Sequence, residues 1–364
     1  MKFPFVGSAY LSRSVNMNCQ RTVNLFPEVD PTSKHVIGLY GTPGLTTRAT
    51  LGTSPVRGMF AGETYLYVAA GNKVYYVDTS WTATALGGTL NTSTGPVSMA
   101  QNATQLVIVD GTNGYTVTLN TGAVTQIADG DFTATPNRVV VIDGYAIVDN
   151  VGTGRFYISD INDATSWNAL DFATAERLPD DVVSMIETHG ELWLFGARSI
   201  EPWDNSGNSD FPFARISGAF IEQGIIGAQA CCKADNGLFW VASSDRGDAT
   251  IYRANGYQPQ RISTHAIEYA LSNYATVSDI LMWTYEEEGH TFVVVQCPTG
   301  NATWVYDVAA SAAAGQPMWH ERPYTTPATG ALGRHRASCH AFFNRVHVLG
   351  DYSNGKIYQQ DLAV

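Results

Sequence analysis

Three short stretches carry residue types able to bind a metal or a charged partner. Asp204-Asn205-Ser206-Gly207-Asn208-Ser209-Asp210 alternates oxygen-bearing side chains, the donor chemistry that calcium selects. A calcium loop of the EF-hand kind wants glycine at its sixth position and glutamate at its twelfth. Here those positions hold Ser209 and Arg215, so the run reads as a polar turn. His335, Cys339, His340 and His347 offer nitrogen and sulfur ligands of the kind zinc takes. On a strand, Cys339 and His340 point to opposite faces, and neither CxxC nor HxxxH opens the set. They read as core or surface residues. Glu286-Glu287-Glu288-Gly289 reads as a solvated acidic hairpin tip, and its functional alternative is a rim charge facing a basic partner or a DNA channel.

The stretch from Ser159 to Trp167 is similar to the Asp-box of sialidase propellers, but the order Ser-x-Asp-x-Gly-x-Thr-Trp is not met. Such boxes are structural in any case. A glycosidase needs two carboxylates paired in one cleft, which spacing along a chain does not reveal. GxSxG, P-loop, GxGxxG and HExxH patterns do not occur. Their absence argues against an enzyme, and no cofactor-binding or metal residue is assigned.

The elements that would position these stretches form a repeat. An apolar strand runs into a turn, a second apolar strand follows, and a third ends near an aromatic and an Asp or Asn. The clearest copy is Val56-Arg57-Gly58-Met59-Phe60, then Thr64 to Val68, then Lys73 to Asp78. Further copies have middle strands at Leu106–Val109, Tyr145–Val148, Leu192–Phe195, Leu238–Val241, Thr291–Val295 and Val346–Gly350. Asp143-Gly144, His189-Gly190 and Asn236-Gly237 are expected hairpin turns. Short strands repeating every ~40 residues are the signature of a β-propeller.

The fold class expected is thus all-β, a propeller of seven blades, or six if one copy is an insertion. The seventh copy lacks an outer strand, which Leu45-Thr46-Thr47-Arg48-Ala49-Thr50 can supply from the N-terminal side. The expected organisation is an extended N-terminal arm over residues 1–50 and a propeller over residues 51–364. The segments near residues 160–180 and 264–278 are expected to be helical or loop excursions.

Composition agrees with this class. Hydrophobic residues make up 45% of the 364 and charged residues 15%, which suits a large core and argues against disorder. The net charge of −12 excludes wrapping of DNA by phosphate neutralisation, yet an acidic wall would let DNA slide past. Cys19, Cys231, Cys232, Cys297 and Cys339 form no CxxC pair and are expected to be reduced thiols. The opening Met1-Lys2-Phe3-Pro4-Phe5-Val6 has no long apolar run, so neither a signal peptide nor a membrane span is expected.

Ordered motifs along the chain carry a family resemblance. They are Arg21-Thr22-Val23-Asn24-Leu25-Phe26-Pro27-Glu28, Gly41-Thr42-Pro43-Gly44-Leu45, Val56-Arg57-Gly58, Gly71-Asn72-Lys73-Val74-Tyr75 and Val97-Ser98-Met99-Ala100. Phe156-Tyr157-Ile158-Ser159-Asp160, Ile200-Glu201-Pro202-Trp203, Glu222-Gln223-Gly224-Ile225-Ile226-Gly227, Val305-Tyr306-Asp307 with Trp319, and Gly350 to Tyr358 continue the series. The chain resembles the packaged-DNA stabilisation proteins of short-tailed bacteriophages, also called tail hub or nozzle proteins.

The resemblance implies a structural virion protein of the tail, assembled in the host cytoplasm, and a non-enzyme with no catalytic residues to assign. It implies a homo-oligomeric ring, a hexamer, below the portal and adaptor. Such a ring extends the channel, retains packaged DNA and takes part in genome ejection. Implied partners are the portal or adaptor protein, a tail needle or plug, and tailspikes or tail fibres; DNA passes without sequence-specific binding. Members often continue past the last propeller strand into a further β region, whereas this sequence stops at Val364. The alternative reading is a glycan-binding or glycan-degrading tail propeller, motivated by abundant Trp and Tyr. A WD-repeat propeller fits less well, because Trp203-Asp204 stands alone.

Overall fold

The computed structural model describes residues 7–11, 19–29, 32, 37–120, 122–175, 178, 180–243 and 249–364. The Met1–Val6 opening and the side chain of Cys19 lie outside the described residues. Seven four-stranded antiparallel sheets occur among the described residues, the blades of a β-propeller. In chain order, blade 1 opens at Val56–Ala61, blade 2 at Ser98–Gln101, blade 3 at Val139–Ile142 and blade 4 at Val182–Thr188. Blade 5 opens at Cys231–Ala234, blade 6 at Leu281–Glu287 and blade 7 at Ala337–Phe343. Among the described residues, no helix is long and apolar enough to cross a membrane.

Two compact units divide the chain. The first, Leu45–Ala228 with Ala337–Gln360, holds blades 1 to 4 and blade 7. Its middle strands are buried on both faces, so they read as continuous apolar runs instead of alternating ones. Along Leu66–Ala70, the side chains of Leu66, Val68 and Ala70 pack against Val348 and Ile357 of blade 7. Tyr67 and Ala69 pack the other way, against Leu106 and Ile108 of blade 2. The core is therefore a series of layers between neighbouring sheets, and each layer is filled by alternate residues of two blades. A serine of an inner strand ties blade 7 to blade 1: Ser338 Oγ donates to the Val56 carbonyl at 2.7 Å.

Blade 7 is completed as expected. Its outer strand is Gly44–Thr50, beside Lys356–Asp361. Arg48 donates to Gln359 Oε1 from Nε at 2.8 Å and from Nη2 at 2.5 Å.

The second unit, Met1–Gly44 with Gln229–Arg336 and Asp361–Val364, holds blades 5 and 6. Leu25–Val29 pairs with Ile37–Gly41 as a hairpin, and Val23 forms a parallel bridge to Glu321. Glu321 N–H donates to the Thr22 carbonyl at 2.8 Å, and Asn24 N–H to the Glu321 carbonyl at 2.9 Å. This covers the outer edge of blade 6, Met318–Glu321, which would otherwise present unpaired backbone groups.

Local chemistry sets the hairpins. Asp143-Gly144 and His189-Gly190 have positive φ at both positions, 51° and 88° and then 55° and 79°. That is the backbone a two-residue turn needs to match strand twist. The turn expected at Asn236-Gly237 sits one residue earlier, at Asp235 (φ 45°) and Asn236 (φ 51°). Gly237 instead opens the next strand, paired with Ala234, because Asp and Asn both tolerate left-handed backbone.

The expected excursion near 160–180 is neither helix nor loop over most of its length. Asp163–Thr174 is the long outer strand of blade 3, bent by register shifts against Arg155–Asp160. The second excursion does contain a helix, His265–Ser272, capped by Thr264. A further short helix, Val308–Ala314, follows Asp307, whose side chain accepts from Ala310 N–H at 2.9 Å.

Candidate functional site

The stretches singled out for chemistry take structural roles. Asn205 Nδ2 donates to Asp143 Oδ2 at 2.8 Å and Asn205 Oδ1 accepts from Gly207 N–H at 3.0 Å, so the 204–210 run is a polar turn. Among the described residues, no group of three or more His, Cys, Asp or Glu is placed to hold a metal ion. His335 belongs to the second unit and packs near Trp283, whereas Cys339, His340 and His347 belong to the first. His340 and His347 stack with ring nitrogens 3.0 Å apart, while Cys339 turns into the apolar layer around Val56 and Ala341.

Ser159 Oγ accepts from Ala146 N–H at 3.0 Å, and the Trp167 ring packs edge-on to Phe132. The 159–167 stretch is therefore a packed corner. Cys231, Cys232, Cys297 and Cys339 are free thiols, and burial pushes Cys297 and Cys339 up to about 12. Glu286 and Glu288 project into solvent at the tip beside His290.

The second unit brings together a cluster that no single stretch announced. His290 Nδ1 lies 2.7 Å from Asp307 Oδ2, and its Nε2 lies 2.6 Å from Glu28 Oε2. The elements dictate this. His290 opens its strand directly after the hairpin tip and pairs with Glu287. Asp307 ends the neighbouring strand and caps the helix that follows. Glu28 comes from the hairpin laid over blade 6, on the same face as Phe26.

Phe26 packs edge-on to His290 at 5.0 Å and to Phe292 at 5.2 Å, and stacks with Tyr40 at 5.9 Å. The hydrogen bond to Asp307, opposed by burial and aided by Glu28, raises His290 to about 9. Glu28 and His290 stand 262 residues apart in sequence, which is why periodicity did not find them. The available signal was that Glu28 and Asp307 each end a motif of the family series.

Two buried groups flank the cluster. Arg322 Nη1 donates to the Tyr285 hydroxyl at 2.5 Å and Nη2 to the Pro43 carbonyl at 3.1 Å, so the arm is anchored again on its exit. Burial pushes Tyr285 up to about 12. His320 is fully buried with neither ring nitrogen hydrogen-bonded, and burial followed by the Arg322 and His290 charges holds it down at about 3. Nearby, a groove of ≈ 210 Å³ is lined by Arg21, Asn301, Trp304, Glu321, Pro323 and Leu332. That volume falls below the usual ~300 Å³ of small-molecule sites. The cluster can hold a doubly protonated imidazole between two carboxylates and tie the arm to a blade.

A β-propeller carrying its own covered edge and closing strand matches, over residues 1–364, the phage stabilisation family described as bacteriophage P22 Gp10, beta-propeller. The chain belongs to that family. Family membership identifies it as a structural virion component of the packaged-DNA stabilisation group. No curated protein matches the chain. Among solved structures, the N-terminal domain of Nup159 is similar, with a TM-score of 0.56 at 9% identity, covering 94% of this chain and 98% of that one. At that identity the likeness concerns fold alone. The computationally designed Ika8 protein aligns at a TM-score of 0.47 and 13% identity, over 86% of this chain and 99% of that one.

Proposed function

We propose that this phage propeller is a tail hub or nozzle, assembled in the host cytoplasm as a homo-hexameric ring below the portal and adaptor. Its ring extends the channel, retains packaged DNA and takes part in ejection. A tail needle or plug and tailspikes or fibres dock on it. The observation that carries this reading is the family match across all 364 residues. The acidic balance supports it, since a net charge of −12 keeps phosphate from sticking to a channel wall. Layered packing within the unit of blades 1 to 4 and 7 supports it too, because close-packed layers resist deformation.

Native mass spectrometry of the chain, alone and mixed with the adaptor encoded beside it, tests the reading. The expected result is a closed ring, formed alone or nucleated by the adaptor. A monomer in both samples overturns it.

A further inference from the structure

A neutral imidazole has one N–H and one lone pair. Both ring nitrogens of His290 face a carboxylate oxygen, at 2.7 Å and 2.6 Å. A lone pair directed at either carboxylate oxygen would be repelled, so the geometry suits the doubly protonated ring. The two acceptors belong to different parts of the second unit. Asp307 is fully buried in blade 6, while Glu28 sits on the hairpin with 41% of its side-chain surface in solvent.

The geometry points to a proton-held latch: His290 fastens the hairpin of Leu25–Val29 and Ile37–Gly41 to blade 6 while it carries both ring protons, and loss of one proton frees the hairpin. The neutral ring keeps its Nδ1–H on buried Asp307 and turns a lone pair toward Glu28. The hairpin then lifts between two anchors that do not titrate with His290. At one end Asn24 N–H donates to the Glu321 carbonyl, and at the other Pro43 accepts from Arg322. Arg21 and Glu321 form a bidentate pair outside the latch, with contacts of 2.8 Å and 2.5 Å. Lifting uncovers Phe26, Phe292 and His320.

The elements packed around His290 carry several other charged or titratable groups. The hairpin contributes Glu28 and Tyr40, and the strand ending at Asp307 contributes that carboxylate. Tyr285 and Glu287 lie on the strand paired with that of His290. Glu287 is raised chiefly by burial, and Tyr285 is held near 12. The outer strand contributes His320, kept neutral, and Glu321, and Arg322 follows it. The helix Val308–Ala314 carries no titratable side chain. His290, with a folded value of about 9, changes charge in the mildly alkaline range.

The sign follows from that raised value. Latch stabilisation is complete below the ordinary histidine range and is lost as pH rises through about 9. Hydrogen exchange read by mass spectrometry, normalised to intrinsic rates, measures it on peptides spanning residues 23–29 and 37–42. Leu66–Ala70 serves as an internal reference. Wild-type protection of the hairpin is expected to fall about tenfold from pH 8 to pH 10, as one linked proton dictates, with the reference unchanged.

Glu28→Gln supplies an amide N–H to the neutral ring, so its hairpin is expected to stay protected across that range. A flat wild-type profile overturns the latch. So does an equal fall in Glu28→Gln, which would place the titration elsewhere. Should that variant not fold, nitrogen NMR of the His290 ring in the wild type decides. Its midpoint must coincide with the loss of protection, and a midpoint near 6.5 overturns the proposal.

Discussion

The Tyr358 hydroxyl donates to Asp351 Oδ2 at 2.7 Å inside blade 7, and both side chains are buried. Asp351 Oδ1 also accepts from Ser353 N–H at 2.7 Å and from Ser353 Oγ at 2.9 Å, and Oδ2 from Asn354 Nδ2 at 3.1 Å. Blade 2 uses the same device, with the Tyr115 hydroxyl 3.0 Å from Asp110 Oδ2 and the next turn's amides on Oδ1. A carboxylate at the end of a blade's second strand thus fixes the turn into the third. Asp351→Ala is expected to cost about 3 kcal/mol, because it strands several buried donors, and Tyr358→Phe about 1 kcal/mol. Urea denaturation of both variants checks this. Equal losses would mean that the tyrosine, and not the turn, carries the effect.

Blade 3 places Asp149 at the equivalent strand end, where Oδ1 accepts from Asn137 and Arg138 N–H at 2.9 and 2.8 Å. Its Oδ2 is buried without a hydrogen bond. Burial pushes the carboxyl up to about 6, so the fold binds its proton more tightly than the open chain does. Stability from this group falls as pH rises from about 4 to about 6 and stays lost above. Asp149→Asn is expected to melt at the wild-type temperature near pH 4 and to gain about 2–3 kcal/mol by pH 7. A constant difference across that range would contradict the assignment.

Arg57 is buried and fans its guanidinium onto the 92–95 loop and the turn at Gly71. It donates to the carbonyls of Gly71 (2.8 Å), Thr92 (2.9 Å), Thr94 (2.6 Å) and Gly95 (2.7 Å) and to Thr92 Oγ1 (2.8 Å). A lysine has neither the planar fork nor enough donors. Arg57→Lys should lose about 3 kcal/mol and deprotect the amides of residues 91–97 first, as exchange mapping would show. Uniform loss of protection across the blade would count against the loop as its target.

Gly224 lies against the backbone of Ala197, where an added Cβ would stand 2.1 Å from the Ala197 carbonyl carbon and oxygen. Gly224→Ala must move main chain and is expected to cost about 3 kcal/mol. Gly207 is the contrast. Its φ is 68° but nothing lies within 4 Å, so Gly207→Ala should cost only about 1 kcal/mol of backbone strain. Thermal melts of the pair test the distinction.

Legibility followed distance along the chain. The seven strand triplets, the Asp143-Gly144 and His189-Gly190 turns and the closing strand after Gly44 are local patterns, and each was readable from residue type and spacing. The Asp163–Thr174 strand was missed because its polar run lacks alternation and it is bent by register shifts. The helix after Asp307 was missed because seven residues make a weak period. The His290 cluster was illegible for a different reason. Its partners come from the arm and from another strand, so only the fold brings Glu28 and Asp307 to one ring.

The outer strand of blade 7 also has a history. Arg48 and its partner Gln359 are 311 residues apart, so the first strand of that sheet to be synthesised meets its neighbours last. At about 5–20 residues per second, Gly44–Thr50 waits roughly 15–60 s on the ribosome with its edge open. During that interval the nascent chain exposes a sticky strand, and on a polysome the nearest competitors are sister chains carrying the same unfilled position. Expression yield should therefore respond to translation speed and chaperone supply more than to the stability of the finished protein.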